Sequence, residues 1–464
     1  MLTYNLDKSN AAPLYEQLYS SIRNDIISGV IDGDTRLPSK REFAEHLGVS
    51  KVTVENAYSL LISEGYVYSL PKKGYYAESG LQAPLRTYND PTQTDVLSSE
   101  SKTFRIDLSA NNVPEKQFPF DTWIRMMRKV CLDYGKELLN PIPFNGTPYL
   151  RSVLCKYLFE ERGMKVHPSQ IFIGAGSEYL YYMIIKFFGN DMVYSAENPG
   201  YQKIREIYRQ NGVTVKDIDI DTEGPSMQIL RSINPNVFHF SPSHNFPSGS
   251  VTSPRRRNEI LKWANEKDGR YIIEDDFDSE LRFSGRPVST LFSACSNENI
   301  IYLNTFSKTI APSVRVAYMV LPAALAGKMN SCFKGNSCSV SSFDQYTLAA
   351  FIEGGYFERH ISRTKKYYGR LRDELLYVFE KHRPALDAVL YEGEAGLHFS
   401  VSFNDKKRLS AVKKTFEQNN IGVSFTGDYY SGEFSEDENR IFINYSGLSA
   451  GDFDEVLTLM EGAK

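Results

Sequence analysis

The run Asn304-Thr305-Phe306-Ser307-Lys308 follows an apolar stretch, Ile301-Tyr302-Leu303, and Arg315 lies seven residues beyond the lysine. A lysine amine at a sheet edge condenses with an aldehyde, and hydroxyls beside a guanidinium hold a phosphate. A second apolar run, Tyr271-Ile272-Ile273, opens into Glu274-Asp275-Asp276-Phe277-Asp278. That order predicts carboxylates at the carboxyl end of a strand, where α/β sheets place their ligands. One of them can pair with a protonated ring nitrogen. Taken singly, the same acids serve equally well as metal ligands or helix caps.

Two further runs suit the same kind of ligand. Ile173-Gly174-Ala175-Gly176-Ser177-Glu178 reads as strand, glycine turn and helix start, which offers free backbone N–H groups to a phosphate. Asn198-Pro199-Gly200-Tyr201 follows another apolar run and puts an aromatic ring where it can stack on a planar one. Each is also a common turn or core feature when met alone.

Several elements must position these groups. Short β-rich runs at 171–173, 192–194, 237–240, 271–273, 300–303 and 317–320 alternate with helical stretches, predicting an α/β sheet covered on both faces. From about Arg363, a long helical stretch and strands near 397–403 and 440–445 predict a smaller α+β lobe. Residues 79–104 lose periodicity and fill with Ser, Thr, Asp, Gln and Pro, as a flexible linker does.

Ahead of that linker, residues 1–78 read as three helices and a hairpin. Leu14, Leu18, Ile22 and Ile26 make one apolar face; Ser39 and Glu42 have capping-box spacing; Ser50 caps a third helix carrying Val54, Ala57, Tyr58 and Leu61. Two short helices joined at Leu47-Gly48-Val49-Ser50 and followed by strands around Pro71-Lys72-Lys73-Gly74 form a helix-turn-helix with a wing. Ser50, Lys51 and Thr53 open its second helix, Arg36, Lys40 and Arg41 flank the first, and Lys72 and Lys73 tip the wing. These groups suit phosphates and base edges, although a solvated charged face is the ordinary fate of such residues.

The segment from Pro13-Leu14-Tyr15-Glu16-Gln17-Leu18 to Glu64-Gly65-Tyr66 resembles the winged helix of GntR-type bacterial regulators. Lys51 stands where arginine is commoner, and the 71–76 run replaces the usual glycine-rich wing. Lysine lacks the fork that grips guanine, so the expectation is a weaker or different base preference there. The remaining motifs, in their order, resemble the fold-type-I aminotransferase family, and the whole chain resembles the MocR/GabR-type regulators.

That resemblance implies pyridoxal 5'-phosphate as cofactor, with Lys308 as its Schiff-base lysine, Asp275 on the pyridine nitrogen and Tyr201 stacked on the ring. Gly176, Ser177, Thr305 and Arg315 would hold the phosphate. Asn245, within Ser243-His244-Asn245-Phe246-Pro247, would sit near the ring hydroxyl, with His244 as the competing choice. Arg440 matches the arginine that binds a substrate carboxylate. Phe277 stands where the family has a tyrosine bonded to the ring oxygen, and Lys203 where the GABA-responsive member has an arginine for its effector.

The implied function is a homodimeric regulator that binds a double-stranded DNA operator and senses pyridoxal phosphate, an amine or an amino acid. A working aminotransferase with a secondary DNA-binding domain, residues 105–464 doing the chemistry, is the alternative; residual transamination is compatible with the first.

Composition bounds these readings. The 464 residues exceed a single domain, and 41% hydrophobic with 24% charged is a globular balance. The net charge of −4, and 8 basic against 10 acidic residues over 1–78, argue against a broadly basic nucleic-acid binder. Affinity for DNA must come from a few placed cations. Five scattered cysteines suggest buried, reduced thiols and no metal site. The polar start, with no apolar run of membrane length, suggests a soluble cytoplasmic protein without membrane attachment.

Overall fold

The computed structural model describes residues 2–7, 12–80, 103–283, 289–294, 298–392, 396–405, 407–432, 434 and 440–463. The chain divides into two compact units, 1–101 and 102–464. Most of the 79–104 linker expected from composition lies outside the described residues.

In the first unit, α1 (Leu14–Ser28) starts after Pro13 and stops at Gly29 in the left-handed region. A two-residue strand β1 (Arg36–Leu37) precedes α2 (Lys40–Leu47), whose N-cap Ser39 accepts the Glu42 N–H. Gly48, at φ 62°, makes the turn into α3 (Lys51–Ser63), where Ser50 accepts the Thr53 N–H. Strands β2 (Val67–Leu70) and β3 (Gly74–Ala77) form the wing, and β1 joins β3 as a third strand. Leu18, Ile22, Phe43, Val54, Tyr58 and Leu61 close a single core.

The second unit begins at β4 (Ile106–Asp107) and is built on an eight-stranded sheet. Its strands are β5 (Ile171–Gly174), β6 (Val193–Asn198), β7 (Thr214–Asp221), β8 (Gly224–Pro225), β9 (Val237–Phe240), β10 (Tyr271–Asp275), β11 (Ile300–Thr305) and β12 (Ala317–Val320). They lie in the order β5-β12-β11-β10-β9-β6-β7-β8. The run β11-β10-β9-β6-β7 is parallel, while β12 is antiparallel to both β11 and β5.

Period-two alternation assigns the two faces. Ala317 and Met319 of β12 pack with helices Ser177–Phe188 and Ala323–Cys332, while Tyr318 and Val320 pack with Pro148–Arg162 and Ser342–Glu353. Both faces are therefore buried, which is why these strands read as unbroken apolar runs.

A helix of 31 residues, Tyr356–Leu386, leads to the smaller lobe. There β13 (Ala388–Glu392), β14 (His398–Phe403), β16 (Ser424–Phe425) and β17 (Ile441–Asn444) form one sheet, and β15 (Ile421–Gly422) pairs with β4. The cysteine expectation is corrected in part. Cys131 and Cys332 are exposed and Cys155 and Cys338 half-buried, all four unbonded, because each sits on a helix or loop flank instead of a strand; Cys295 lies outside the described residues.

Candidate cofactor site and DNA-reading surface

The carboxyl ends of β6, β9, β10 and β11 surround a cavity of about 270 Å³. Ser177, Tyr201, Asp275, Phe277, Thr305, Lys308 and Arg315 all line it, from four separate stretches of sequence brought together by the parallel strand order.

Lys308 follows β11 on a turn and is half-buried; desolvation pulls its amine below the ordinary lysine range, against the opposing pull of Asp278. A larger share of neutral amine is the nucleophilic form. Asp275 ends β10 and is 5% exposed. The Tyr181 hydroxyl donates to its Oδ2 at 2.6 Å, and His239 Nε2 lies 3.2 Å from the same oxygen. Tyr208 Oη is 2.7 Å from His239 Nδ1, so the hydroxyl donating there leaves the Nε2 proton for Asp275. Tyr181 and His239, the latter set by Tyr208, thus hold one carboxylate oriented.

At the opposite end, Gly176 caps helix Ser177–Phe188 at φ 86° with no side-chain cap, leaving the first N–H groups of a 12-residue helix without one. A Cβ on Gly176 would stand 2.5 Å from Arg315 Nη2, so a larger residue there would have to push the guanidinium aside. Thr305 Oγ1 accepts the Ser307 N–H at 3.2 Å and lies 3.1 Å from Ser307 Oγ. Glu178 meets Lys203 at 2.6 Å and Arg315 at 3.5 Å, forming a charged rim.

Gly176 and Lys203 border the lining without belonging to it, and three further expected residues are placed elsewhere. Asn245 is buried behind the cavity, donating to the Pro199 carbonyl at 3.3 Å and accepting from Ser248 at 2.7 Å; its neighbour Phe246 reaches the lining instead. His244 lies 2.8 Å from Asp278 and against His398, outside the lining. Arg440 sits 3.9 Å over the Tyr391 ring in the small lobe and does not line the cavity.

Sequence reading missed Tyr181, His239 and Glu197. The one usable sign was a histidine within the otherwise apolar Val237-Phe238-His239-Phe240. Glu197 lines the cavity, accepts the Ser241 N–H at 2.9 Å, and burial raises its carboxyl to about 7.

On the first unit, Arg36, Arg41, Ser50, Lys51, Lys72 and Lys73 are exposed and Thr53 is half-buried. Lys40 is committed internally, 2.8 Å from Glu55 and over the Tyr75 ring. Val52, 61% exposed in the first turn of α3, is an apolar group of the size that meets a thymine methyl.

Residues 14–76 match the bacterial regulatory proteins of the gntR family, and residues 105–458 match aminotransferase class I and II. Over 470 aligned residues, all of this chain and 99% of the relative, it is 32% identical to the HTH-type transcriptional regulator YdeL of Bacillus subtilis. The chain belongs to this family of regulators. The regulator is also 27% identical to the probable rhizopine catabolism regulatory protein MocR of Rhizobium meliloti, over 86% of this chain and 83% of that one. Identity is 28% to the pyridoxine biosynthesis regulator PdxR of Corynebacterium glutamicum, over 90% and 88%. Its second unit shares the fold of a Pyrococcus horikoshii kynurenine aminotransferase solved with PMP, at TM-score 0.66 and 24% identity, covering 77% of this chain and 90% of that one. No helix among the described residues is long and apolar enough to cross a membrane.

Proposed function

We propose that this regulator binds pyridoxal 5'-phosphate in the cavity around Lys308 and couples its occupancy, or that of an amine or amino acid reacting there, to operator binding. The observation that carries the reading is the pairing of a half-buried lysine and a braced carboxylate with Arg315 and the start of helix Ser177–Phe188, all on one cavity. When bound, pyridoxal phosphate supplies an aldehyde carbon and an electron-accepting ring.

The chain's own residues do the rest. Arg315, Thr305, Ser177 and the Gly176 turn would hold the phosphate, and Lys308 presents its amine to the aldehyde. Asp275 would keep a proton on the ring nitrogen while Tyr181 and His239 hold it in place. Phe277 offers no hydroxyl to the ring oxygen, which removes one anchor. Tyr201 would cover the ring from the solvent side.

The division of labour follows: residues 1–78 read DNA, 79–104 link, and 105–464 sense. As a homodimer in the cytoplasm, two weakly charged heads would share one operator, and a shift in their relative placement changes avidity. Arg440 and Lys203 remain the candidates for an effector carboxylate, although both lie outside the lining.

The test is a titration of cofactor-free protein with pyridoxal phosphate, then amines and amino acids, following DNA affinity and visible absorbance together. A cofactor-dependent change in DNA affinity supports the reading. Steady turnover of amino donor and keto acid with DNA affinity unmoved favours the aminotransferase alternative.

A further inference from the structure

A second cavity, of about 190 Å³, lies between helix Pro148–Arg162, the turn Ser279–Leu281 and the start of helix Tyr356–Leu386. Its lining combines Arg162, Glu280, Glu358 and Lys365 with the apolar Phe357 and Ile361. Exposed Glu161 and Ser362 open it to solvent.

Two of these charges are deeply buried, while Glu358 and Lys365 are half-buried. The Arg162 side chain is 4% exposed and that of Glu280 8%. Arg162 Nη2 lies 3.0 Å from Asp276 Oδ2 and 3.6 Å from Glu280 Oε1, and also reaches Ser279 Oγ. Glu280 Oε1 accepts from Asn304 at 3.0 Å and from Tyr157 at 3.3 Å. Yet Arg162 Nη1, Glu280 Oε2 and Glu358 Oε2 are buried with no partner among the described residues.

Leaving such charged atoms unmet is costly, and here one donor and two acceptors go unmet around one space. Two free carboxylate oxygens call for an ammonium, and a free guanidinium N–H calls for an oxygen acceptor. A simple anion would face Glu161, Glu280 and Glu358. No group of three or more His, Cys, Asp and Glu among the described residues could hold a metal. At ~30 Å³ for each water in the liquid, the volume suits a molecule of six or so heavy atoms.

We propose that this cavity is a second ligand site, taking a small primary amine that also carries an oxygen acceptor, as in an amino acid or amino alcohol. The ammonium meets Glu280 and Glu358, the oxygen meets Arg162, with Lys365 adding charge for a carboxylate, and the carbon skeleton lies against Phe357 and Ile361. Burial pushes Glu280 and Glu358 up and Lys365 down, each relieved by an opposite charge on the ligand. Asp276, the ion-pair partner of Arg162, follows Asp275 directly, so one short stretch of chain contacts a lining residue of each cavity. The inference stands apart from the reading of the first cavity.

Calorimetric titration of the full chain with L-alanine and L-alaninol tests it, with ethylamine and propionate as probes that each lack one half. The expected result is saturable binding of L-alanine or alaninol, at least tenfold tighter than either half-probe. Preference for L-alanine identifies a carboxylate reader, and preference for alaninol a hydroxyl reader. Ser362→Phe, which blocks the opening from an exposed position, and Glu358→Gln should each weaken binding at least tenfold, while Lys308→Ala leaves it unchanged. A circular-dichroism melt establishes that each variant is folded, and Ser362→Phe carries the test should Glu358→Gln fail to fold. The proposal is overturned by absence of saturable binding, by ethylamine or propionate binding as tightly, or by binding that survives Ser362→Phe and disappears in Lys308→Ala.

Discussion

Gly176 leaves room for the Arg315 guanidinium, whose Nη2 would stand 2.5 Å from any Cβ placed there. Gly176→Ala therefore has two effects: it displaces Arg315 from the helix start, and it forces an L side chain to φ 86°. The strain costs on the order of 1–3 kcal/mol of stability. Phosphate recognition suffers more. Affinity for pyridoxal phosphate should fall at least tenfold in Gly176→Ala and in Arg315→Ala, while affinity for pyridoxal, which has no phosphate, stays near that of the parent. Equal losses for both ligands would remove the phosphate from this end of the cavity.

The carboxylate end gives a separate test. An amide at position 275 keeps the shape and the bonds from Tyr181 or His239 but loses the charge. A hydrogen bond to a charged group contributes about 1.5–3 kcal/mol, so Asp275→Asn should bind pyridoxal phosphate at least tenfold more weakly by fluorescence titration. Lys308→Ala should instead abolish the visible absorbance while the protein stays folded by circular dichroism. A visible band that survives in Lys308→Ala assigns the amine to another lysine.

The motifs that chain order keeps together were legible from sequence. Thr305, Ser307 and Lys308 share one turn, and Gly176-Ser177 opens one helix, so local spacing alone carried them. The acidic cluster was ambiguous because its resolution lies in the topology: Asp275 becomes the braced acid only when β9 pairs with β10, setting His239 beside Ile273, and helix Ser177–Phe188 brings Tyr181 over it. Asp276, one residue on, turns to the other face and serves Arg162. Arg440 was matched by motif to an arginine that binds a carboxylate; its place over Tyr391 depends on the registers of β13, β14 and β17, which no local pattern specifies. The Lys40 pairing with Glu55 was likewise not legible, because it forms only when α3 packs beside α2.

For the reading head, the wing lysines make a prediction about salt. Lys72 and Lys73 are exposed at the turn between β2 and β3, with Lys72 at φ 63° holding the tip. Each phosphate contact releases counterions, giving a slope of about −0.9 in log affinity against log salt. Replacing both by alanine should flatten that slope by roughly 2 per head and weaken binding to any duplex alike. Val52→Ala, by contrast, should leave the salt slope unchanged while altering preference among sequences. Fluorescence anisotropy across a salt series separates the two; an unchanged slope in the double lysine variant takes the wing off the DNA.

Glu197 makes the stability of the second unit depend on pH. Burial in the folded chain raises its carboxyl from 4.5 to about 7, with the Ser241 N–H pulling the other way. The folded state therefore holds its proton where the unfolded state has released it. Stability is full below about 4.5 and falls as pH climbs through about 7, the opposite of a salt-bridged acid. The shift corresponds to about 3 kcal/mol at most. Glu197→Gln can keep the bond from Ser241 without a titrating proton, so the variant should gain stability relative to the parent at pH 8 and little at pH 4.5. Urea unfolding at the two values measures this difference. A gain of the same size at both would mean that packing, and not the buried charge, separates the variant from the parent.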